Sequence, residues 1–220
     1  MSMGVTLPAG AGMDNVVDSA VALAREAAAA RDTVGRLPQL FDVDSIALAG
    51  IVGREVPELA VGSSVVPIFA RHPILVASQA QTTQAAAGRY TLGGGLGAEL
   101  FVEPVFGVPY DRPILRLREF LTALRYVVDT GMVDFTGETL VARTPIPSAV
   151  AGGSPVPVAV AAMGPQALRV TGELADGTLP FLAGPKALAD HIVPAITAAS
   201  AAPARRLGEG ALVPPGKQGR

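Results

Sequence analysis

Four closely spaced glycines form the part of this sequence whose residue types could most directly serve chemistry. Gly93, Gly94, Gly95 and Gly97 follow a short β-type run at residues 90–92. Glycine lets a backbone come close to a flat or phosphorylated ligand, and it costs conformational entropy where nothing uses that freedom. The run therefore predicts either a segment that holds a cofactor or a tight strand exit.

A dinucleotide-binding fingerprint is the first interpretation to weigh. That motif is G-x-G-x-x-G in the first βα turn, and its helix begins at once. Here Gly93, Gly95 and Gly97 fall in the fourth strand–helix unit, and the next periodic helix is predicted to begin only near Arg112. No helix N-terminus would then meet a pyrophosphate. The spacing disfavours a nicotinamide dinucleotide site.

The composition excludes several other classes of protein. The chain has 220 residues, a net charge of −2 and no cysteine, which rules out disulfides, iron–sulfur ligation and thiol catalysis. With only His72 and His191 as imidazoles, we expect no metal site. The charge gives no footprint for nucleic acid, and no apolar stretch reaches the roughly 18 residues of a membrane span. The N-terminus has no signal-peptide pattern, so we expect a cytoplasmic protein whose partner is a small molecule.

Short β-rich runs alternate with helical ones along most of the chain. Strands are predicted at residues 5–8, 33–40, 59–68, 90–97, 157–162 and 178–182, and helices from Asp14 to Ala30, from Asp44, and at 73–87, 112–130, 166–174 and 185–199. Asp14 and Asp44 are the expected N-caps. This alternation predicts a parallel α/β sheet covered on both faces. Six units fit either an open doubly wound sheet or a β/α barrel, whose complete form has eight.

Three segments depart from the alternation. Residues 101–111 and 133–154 are predicted to be insertions, the second with a hairpin near Phe135. We expect residues 1–202 to form one domain and residues 203–220, rich in Pro, Gly and Arg, to be a disordered tail. The change to a basic Pro/Gly tail is interpreted as a truncation or a change of reading frame.

Four segments in order resemble the bacterial luciferase-like monooxygenase family. Residues 88–97, Gly-Arg-Tyr-Thr-Leu-Gly-Gly-Gly-Leu-Gly, resemble its fourth strand. Residues 61–73 resemble the third strand and the start of its helix, 155–165 the fifth strand and its turn, and 175–178 the turn before the sixth strand. The chain is most similar to the branch that uses the deazaflavin coenzyme F420. The resemblance implies a TIM barrel, incomplete at about six of eight βα units.

The same resemblance implies a binding site for F420, with FMN as the alternative. The family's third strand often carries a non-prolyl cis peptide behind the cofactor ring, and the matching bond is Ser64–Val65, for which an ordinary trans strand is the other interpretation. The residues implied to hold the cofactor are Gln39, Ser64, Val65, Gly93, Gly95, Leu96, Gly97, Ala162, Met163 and Gly164. The last three would offer amide groups at a helix N-terminus to a phosphate-bearing tail, or would form a turn for geometry alone.

No residue matches the family's general acid. Ala98 stands where F420-dependent members carry a carboxylate, and Glu99 follows it. Glu99 is therefore one candidate acid. His72 is another because of the pKa range of imidazole, although an Arg-His-Pro sequence at a helix start is more typical of a cap. The resemblance implies hydride transfer between the cofactor and a small organic substrate in a homodimer, and the alternative is an inactive barrel remnant.

Overall fold

The computed structural model describes residues 4–8, 12–153 and 155–201. The strands are β1 (Gly4–Thr6), β2 (Val34–Leu37), β3 (Ala60–Ser63), β4 (Val66–Pro67), β5 (Tyr90–Gly95), β6 (Asp134–Thr136), β7 (Val141–Arg143), β8 (Val158–Ala161) and β9 (Gly177–Thr178). The helices are α1 (Val16–Ala29), α2 (Ser45–Glu55), α3 (Pro73–Ala87), α4 (Glu99–Phe106), α5 (Pro113–Thr130), α6 (Pro165–Leu174), α7 (Pro185–Ala187) and α8 (Val193–Ala201), with a π-helical turn at Leu188–Ile192 between α7 and α8.

The main sheet is parallel throughout. Its order is β1–β2–β3–β5–β8–β9, and β4 continues alongside β5 after β3 ends. The strands curl into a half-barrel with the helices on the outside, and this arrangement resembles part of a TIM barrel. The predicted α/β fold, an incomplete β/α barrel, is confirmed.

The two faces of the sheet differ in side-chain size. Leu92, Val158 and Val160 face the helices and pack near Phe120 of α5. Since side chains alternate along a strand, Gly93 and Gly95 point into the half-barrel, beside their register partners Ala159 and Ala161. The apolar core therefore lies between sheet and helices, and the inner face at β5 and β8 carries only small residues.

Of the two predicted N-caps, Asp44 is confirmed and Asp14 is not. Asp44 caps α2, with its Oδ1 accepting from the amides of Ile46 and Ala47. The prediction of Asp14 as the cap of α1 is wrong, because Asn15 occupies that position and its Oδ1 accepts from Val17 N at 2.9 Å. One residue decides which side chain reaches the free amides of the first turn.

The segment after the glycine run contains a helix that the sequence did not predict. Residues 101–111, expected to be an insertion, contribute to α4, which begins two residues after Gly97. Pro104 lies inside α4, and Gly107 ends it with φ +65°. Arg112 is the N-cap of α5 rather than its first residue. The expectation that no helix begins before Arg112 is therefore wrong.

Several strands and the last helix are shorter than predicted. β1 ends at Thr6, β5 ends at Gly95 because Gly97 turns away with φ +75°, and the third predicted strand is divided into β3 and β4. The sixth strand covers only Gly177–Thr178. The helix predicted at 185–199 is divided by the π-helical turn. The predicted tail at 203–220 lies outside the described residues.

The predicted hairpin near Phe135 is present as β6 and β7, and a buried carboxylate attaches it to α5. Glu119 accepts from Glu138 N at 2.7 Å, Thr139 N at 2.8 Å and Thr139 Oγ1 at 2.6 Å. Burial alone would raise the pKa of Glu119, but these hydrogen bonds together hold it below its ordinary value. A Cβ at Gly137 would lie 2.3 Å from this carboxyl carbon, so a larger residue there would displace the Glu119 carboxylate from its hydrogen bonds.

Among the described residues, no helix combines the length and the apolar character needed to cross a bilayer.

Candidate functional site

A cleft of about 890 Å³ opens at the carboxyl ends of β2, β3 and β5. This is the edge of a β/α barrel at which ligands bind. Its residues come from the loop after β2, the stretch that runs from the bulge through β4 to the start of α3, and the segment from Gly97 into α4. They are Gln39, Leu40, Phe41, Asp42, Val43, Asp44, Val65, Pro67, Ala70, Arg71, Gly97, Ala98, Phe101 and Phe106.

The bulge between β3 and β4 carries the cis Ser64–Val65 peptide that the resemblance implied. The β3–β5 ladder ends at the Gly62–Thr91 pair and resumes at Val66–Gly94. Ser63 bridges this gap: its Oγ accepts from Gly93 N at 2.8 Å and donates to Gly93 O at 3.0 Å. One buried hydroxyl thus satisfies backbone groups that the bulge leaves without a ladder partner.

Close approach of strands and bulge explains two of the glycines. A Cβ at Gly93 would lie 2.0 Å from Ser63 O, and one at Gly95 would lie 3.1 Å from Val65 Cγ2 and 3.2 Å from Ala161 Cβ. A Cβ at Gly94 would have no neighbour closer than 3.8 Å. Protein atoms therefore fill the space that a side chain at Gly93 would need, and this glycine serves the bulge.

Gln39 organises the loop after β2. Its Nε2 donates to the carbonyls of Leu40 at 2.8 Å and Val43 at 2.9 Å, and its Oε1 accepts from Ser45 N at 3.0 Å. Its amide is thus engaged by the loop while the residue lines the cleft. Gln39 holds the loop that forms one side of the cleft.

A salt bridge at the cleft joins the start of α2 to the segment just before α3. Arg71 Nη2 lies 2.9 Å from Asp44 Oδ2, and Arg71 Nη1 donates to Gln79 at 3.3 Å. Burial alone would raise the pKa of Asp44, but amide hydrogen bonds from Ala47 and Ile46 and the charge of Arg71 hold it below its ordinary value. Each charge of this pair is therefore compensated by the other.

Three phenylalanine rings form an aromatic wall on the outer side of the cleft. Phe41 lies 6.0 Å from Phe101 in an edge arrangement and 6.2 Å from Phe106 in a tilted one. These spacings are typical of favourable aromatic pairs. The three side chains are 68%, 48% and 39% exposed respectively, which is unusual for large apolar residues that contact one another.

Glu99, the first candidate acid, lies in the first turn of α4 and is exposed. It follows Ala98, which lines the cleft, but is not itself among the lining residues. Tyr110 is nearby: its hydroxyl donates to Gly97 O at 3.2 Å, and burial, with a smaller contribution from the charge of Glu99, raises the pKa of Tyr110. Glu99 therefore lies near Tyr110, whose hydroxyl is bonded to the cleft-lining Gly97.

His72, the second candidate, is engaged elsewhere. Its Nδ1 accepts from Ile74 N at 3.3 Å, as the N-cap of α3, and its Nε2 lies 2.9 Å from the carbonyl of Val141 in the hairpin. These two contacts require that Nε2 carries the proton and donates. The ring caps a helix and holds the hairpin, and it does not line the cleft.

The predicted phosphate segment lies at the end of β8, next to β5. Gly164 is the N-cap of α6 with Pro165 at the first position, and no side chain caps this helix. Nothing lies within 4 Å of the place of a Gly164 Cβ, and Met163 is exposed. No side chain therefore occupies the N-terminus of α6, although Ala162, Met163 and Gly164 are not among the residues that line the cleft.

The structure brings part of the predicted cofactor set together. Gln39, Val65 and Gly97 line one cleft, Ser64 shares the bulge with Val65, and Gly95 lies against Val65. Leu96 instead packs against the core, and Gly93 lies against Ser63.

Sequence reasoning missed the aromatic wall and the bridging hydroxyl. Phe101 and Phe106 are five positions apart, and this spacing was a usable signal only once α4 was known. Nothing local connects them with Phe41, which lies 60 positions earlier than Phe101. Ser63 was passed over because a small polar residue in a strand has no pattern of its own.

In the described ranges, no group of three or more His, Asp or Glu side chains is placed to hold a metal ion.

The Luciferase-like monooxygenase family model matches residues 3–216. This match covers nearly the whole chain. The chain belongs to the luciferase-like monooxygenase family.

Individual relatives refine this placement. A putative coenzyme F420-dependent oxidoreductase of Mycobacterium tuberculosis is 27% identical over 147 residues, covering 61% of this chain and 42% of that protein. The F420-dependent tetrahydromethanopterin reductase of Methanopyrus kandleri superposes with a TM-score of 0.76 at 20% identity, over 90% of this chain and 60% of that one.

A flavin protein is similar in fold to the same extent. The oxygenating constituent of 3,6-diketocamphane monooxygenase from Pseudomonas putida, in complex with FMN, gives a TM-score of 0.75 at 17% identity, over 90% of this chain and 63% of that one. At these identities the superpositions show the fold alone. The chain spans 40% of the length of the curated relatives that it matches at 31% identity.

Proposed function

We propose that this protein is an oxidoreductase that binds F420, or alternatively FMN, and transfers a hydride between the cofactor and a small organic substrate. The observation that carries the proposal is the cleft of about 890 Å³ at the carboxyl ends of the parallel strands. Three of its lining residues, Val65, Pro67 and Gly97, come from the bulge, β4 and the strand exit and are called here the floor. The floor has no charged side chain and is formed by the bulge and the strand exit, so it suits a flat ring.

The residues present fit a flavin-like group. When bound, such a cofactor accepts or donates the hydride, and the protein supplies binding, orientation and electrostatics. Val65 would support one face of the ring, while Gln39 and the Asp44–Arg71 pair fix the loop beside it. The uncapped backbone N–H groups at the N-terminus of α6 would donate to an anionic tail, because a helix N-terminus favours negative charge.

Glu99 is the proposed proton donor. It is the carboxylate next to the cleft-lining Ala98, in the first turn of α4. We do not assign that role to His72, because both of its ring nitrogens are engaged in structural hydrogen bonds. Glu99→Gln should lower turnover while leaving the cofactor affinity unchanged, and a variant with full turnover would remove Glu99 from the mechanism.

The proposal is tested by titrating the purified full chain with F420 and with FMN, following cofactor fluorescence. We expect saturable binding of F420 to the wild type. Val65→Glu should weaken it at least about tenfold, since a charge would be buried beneath an apolar ring. Ile146→Glu is the matched control, because Ile146 is 70% exposed and does not line the cleft.

Two results would contradict the proposal. The first is a folded protein that binds neither cofactor, which is the behaviour of an inactive remnant. The second is equal loss of affinity in Val65→Glu and Ile146→Glu.

We also propose that the protein is a homodimer. Size exclusion with light scattering tests this: a mass twice the 22.3 kDa of one chain would support the dimer, and a mass of 22.3 kDa would refute it.

A further inference from the structure

The aromatic wall (Phe41, Phe101 and Phe106) is built from two separate elements. Phe41 comes from the loop after β2, and the other two rings lie on α4. All three remain at least 39% exposed although Phe41 pairs with each of the other two and all line the same cleft. Large exposed apolar groups that converge on a cleft are characteristic of a ligand-binding surface.

The charges in the cleft determine which ligand the wall suits. Three charged side chains line it: Asp42, Asp44 and Arg71. Arg71 is occupied by Asp44 and Gln79, so it offers no free guanidinium to a carboxylate or a phosphate. Asp42 is exposed and makes no hydrogen bond or ion pair with any residue in the described part of the chain. The one uncompensated charge among the lining residues is therefore negative.

We infer that the aromatic wall binds the substrate, and that the substrate class is uncharged, apolar and ring-bearing, with anionic compounds disfavoured. Faces and edges of phenylalanine rings attract a second ring in offset or edge geometry. Asp42 repels a carboxylate or a phosphate at the same place, while an uncharged alcohol or ketone meets no such penalty. The inference rests on the proposed function, because it names the substrate class of the same cleft.

Two probes with one ring system test the charge argument. They are 2-naphthylmethanol, which is uncharged, and 2-naphthoate, which is anionic at pH 7. Each is titrated calorimetrically into the full chain, with and without saturating F420. We expect the alcohol to bind about fivefold or more tightly than the acid at low salt, the difference that one exposed like-charge contact supplies. We expect bound F420 to leave the affinity of the alcohol in place.

Variants locate the binding surface. Phe41→Ala and Phe106→Ala should each weaken 2-naphthylmethanol about eightfold, the loss expected for roughly 50 Å² of apolar contact. Phe41→Leu should retain most of the affinity, and Ile146→Ala, an exposed apolar truncation away from the cleft, should retain all of it. Asp42→Asn should raise the affinity for 2-naphthoate and so reduce the difference in affinity between the two probes.

Four results overturn the inference: no binding of the alcohol, tighter binding of the acid, equal effects of Phe41→Ala and Ile146→Ala, or displacement of the alcohol by F420. The last would assign the wall to the cofactor. The F420 titration is read separately, so failure of the cofactor proposal shows as absence of F420 binding while the probe titrations report on the wall.

Discussion

Replacement of Gly93 by alanine tests whether the glycine run is required by the bulge. The new Cβ would lie 2.0 Å from the carbonyl oxygen of Ser63 and 2.7 Å from a methyl of Leu179. The first contact is with backbone, so relief requires β3 and β5 to separate or the bulge to move. Overpacking costs about 1–3 kcal/mol, and we expect about 3 kcal/mol here. In a domain of this size that corresponds to a fall in Tm of roughly 6–12 °C.

The neighbouring Gly94 provides a matched control on the same strand. Its Cβ would approach nothing closer than 3.8 Å, where Ile68 Cγ2 and Val66 O lie. Gly94→Ala should leave stability unchanged or raise it by about 0.4–1 kcal/mol, because alanine restricts the unfolded chain. Both variants are compared by urea unfolding and by thermal melting. Equal stability of the two variants would refute the packing account of the glycine run.

The remaining predictions concern three side chains. Ser63→Ala should cost about 1–3 kcal/mol in urea unfolding, since both backbone groups of Gly93 lose a buried partner; an unchanged midpoint would contradict the bridge. Because the folded-state pKa of Glu119 is lowered, its contribution is present above its unfolded-state pKa and is lost as pH falls through the folded value. The stability gap between wild type and Glu119→Gln should thus be full at pH 7 and shrink below about pH 4, whereas a pH-independent gap would be inconsistent. His72→Ala should lower stability by about 1 kcal/mol through loss of the cap and leave F420 affinity unchanged; lost affinity would restore a role for His72 in the site.

The architecture was predictable because its signals are local. Apolar runs such as the one that became β8 are characteristic of strands buried on both faces. Pro73 marked the start of α3, and Gly131 marked the end of α5. The order of these units, with the family resemblance, was enough to choose the barrel, which periodicity alone left open against an open sheet.

The features that were predicted wrongly or missed depend on residues distant in sequence or on competing local preferences. Pro104 opposes helix formation, so α4 could not be predicted from the sequence. The helix forms nevertheless, with Val102 buried and Gly107 at its end. Asp14 and Asn15 are both good caps, and only backbone geometry selects one. The aromatic wall required both α4 and the loop after β2 to be placed first.

The role of the glycines also changed once the strands were placed. The sequence suggested that Gly93 and Gly95 leave room for a flat ring. In the structure, Ser63 O lies 2.0 Å from the Cβ position of Gly93, and Val65 and Ala161 lie 3.1 and 3.2 Å from that of Gly95. The cleft lies at the carboxyl ends of the strands, and Val65 and Gly97 are among the residues that line it.

The central claim is that a deazaflavin ring rests on the floor of the cleft. Methyl-resolved NMR of the full chain during addition of F420 tests it most directly, because an aromatic ring shifts the resonances of methyl groups beneath it. We predict saturable shifts at Val65 and Ala98, both of which line the cleft, and none at Ile146, which does not. Binding of F420 with unshifted Val65 and Ala98 methyls, or with shifts confined to other parts of the chain, would contradict the claim.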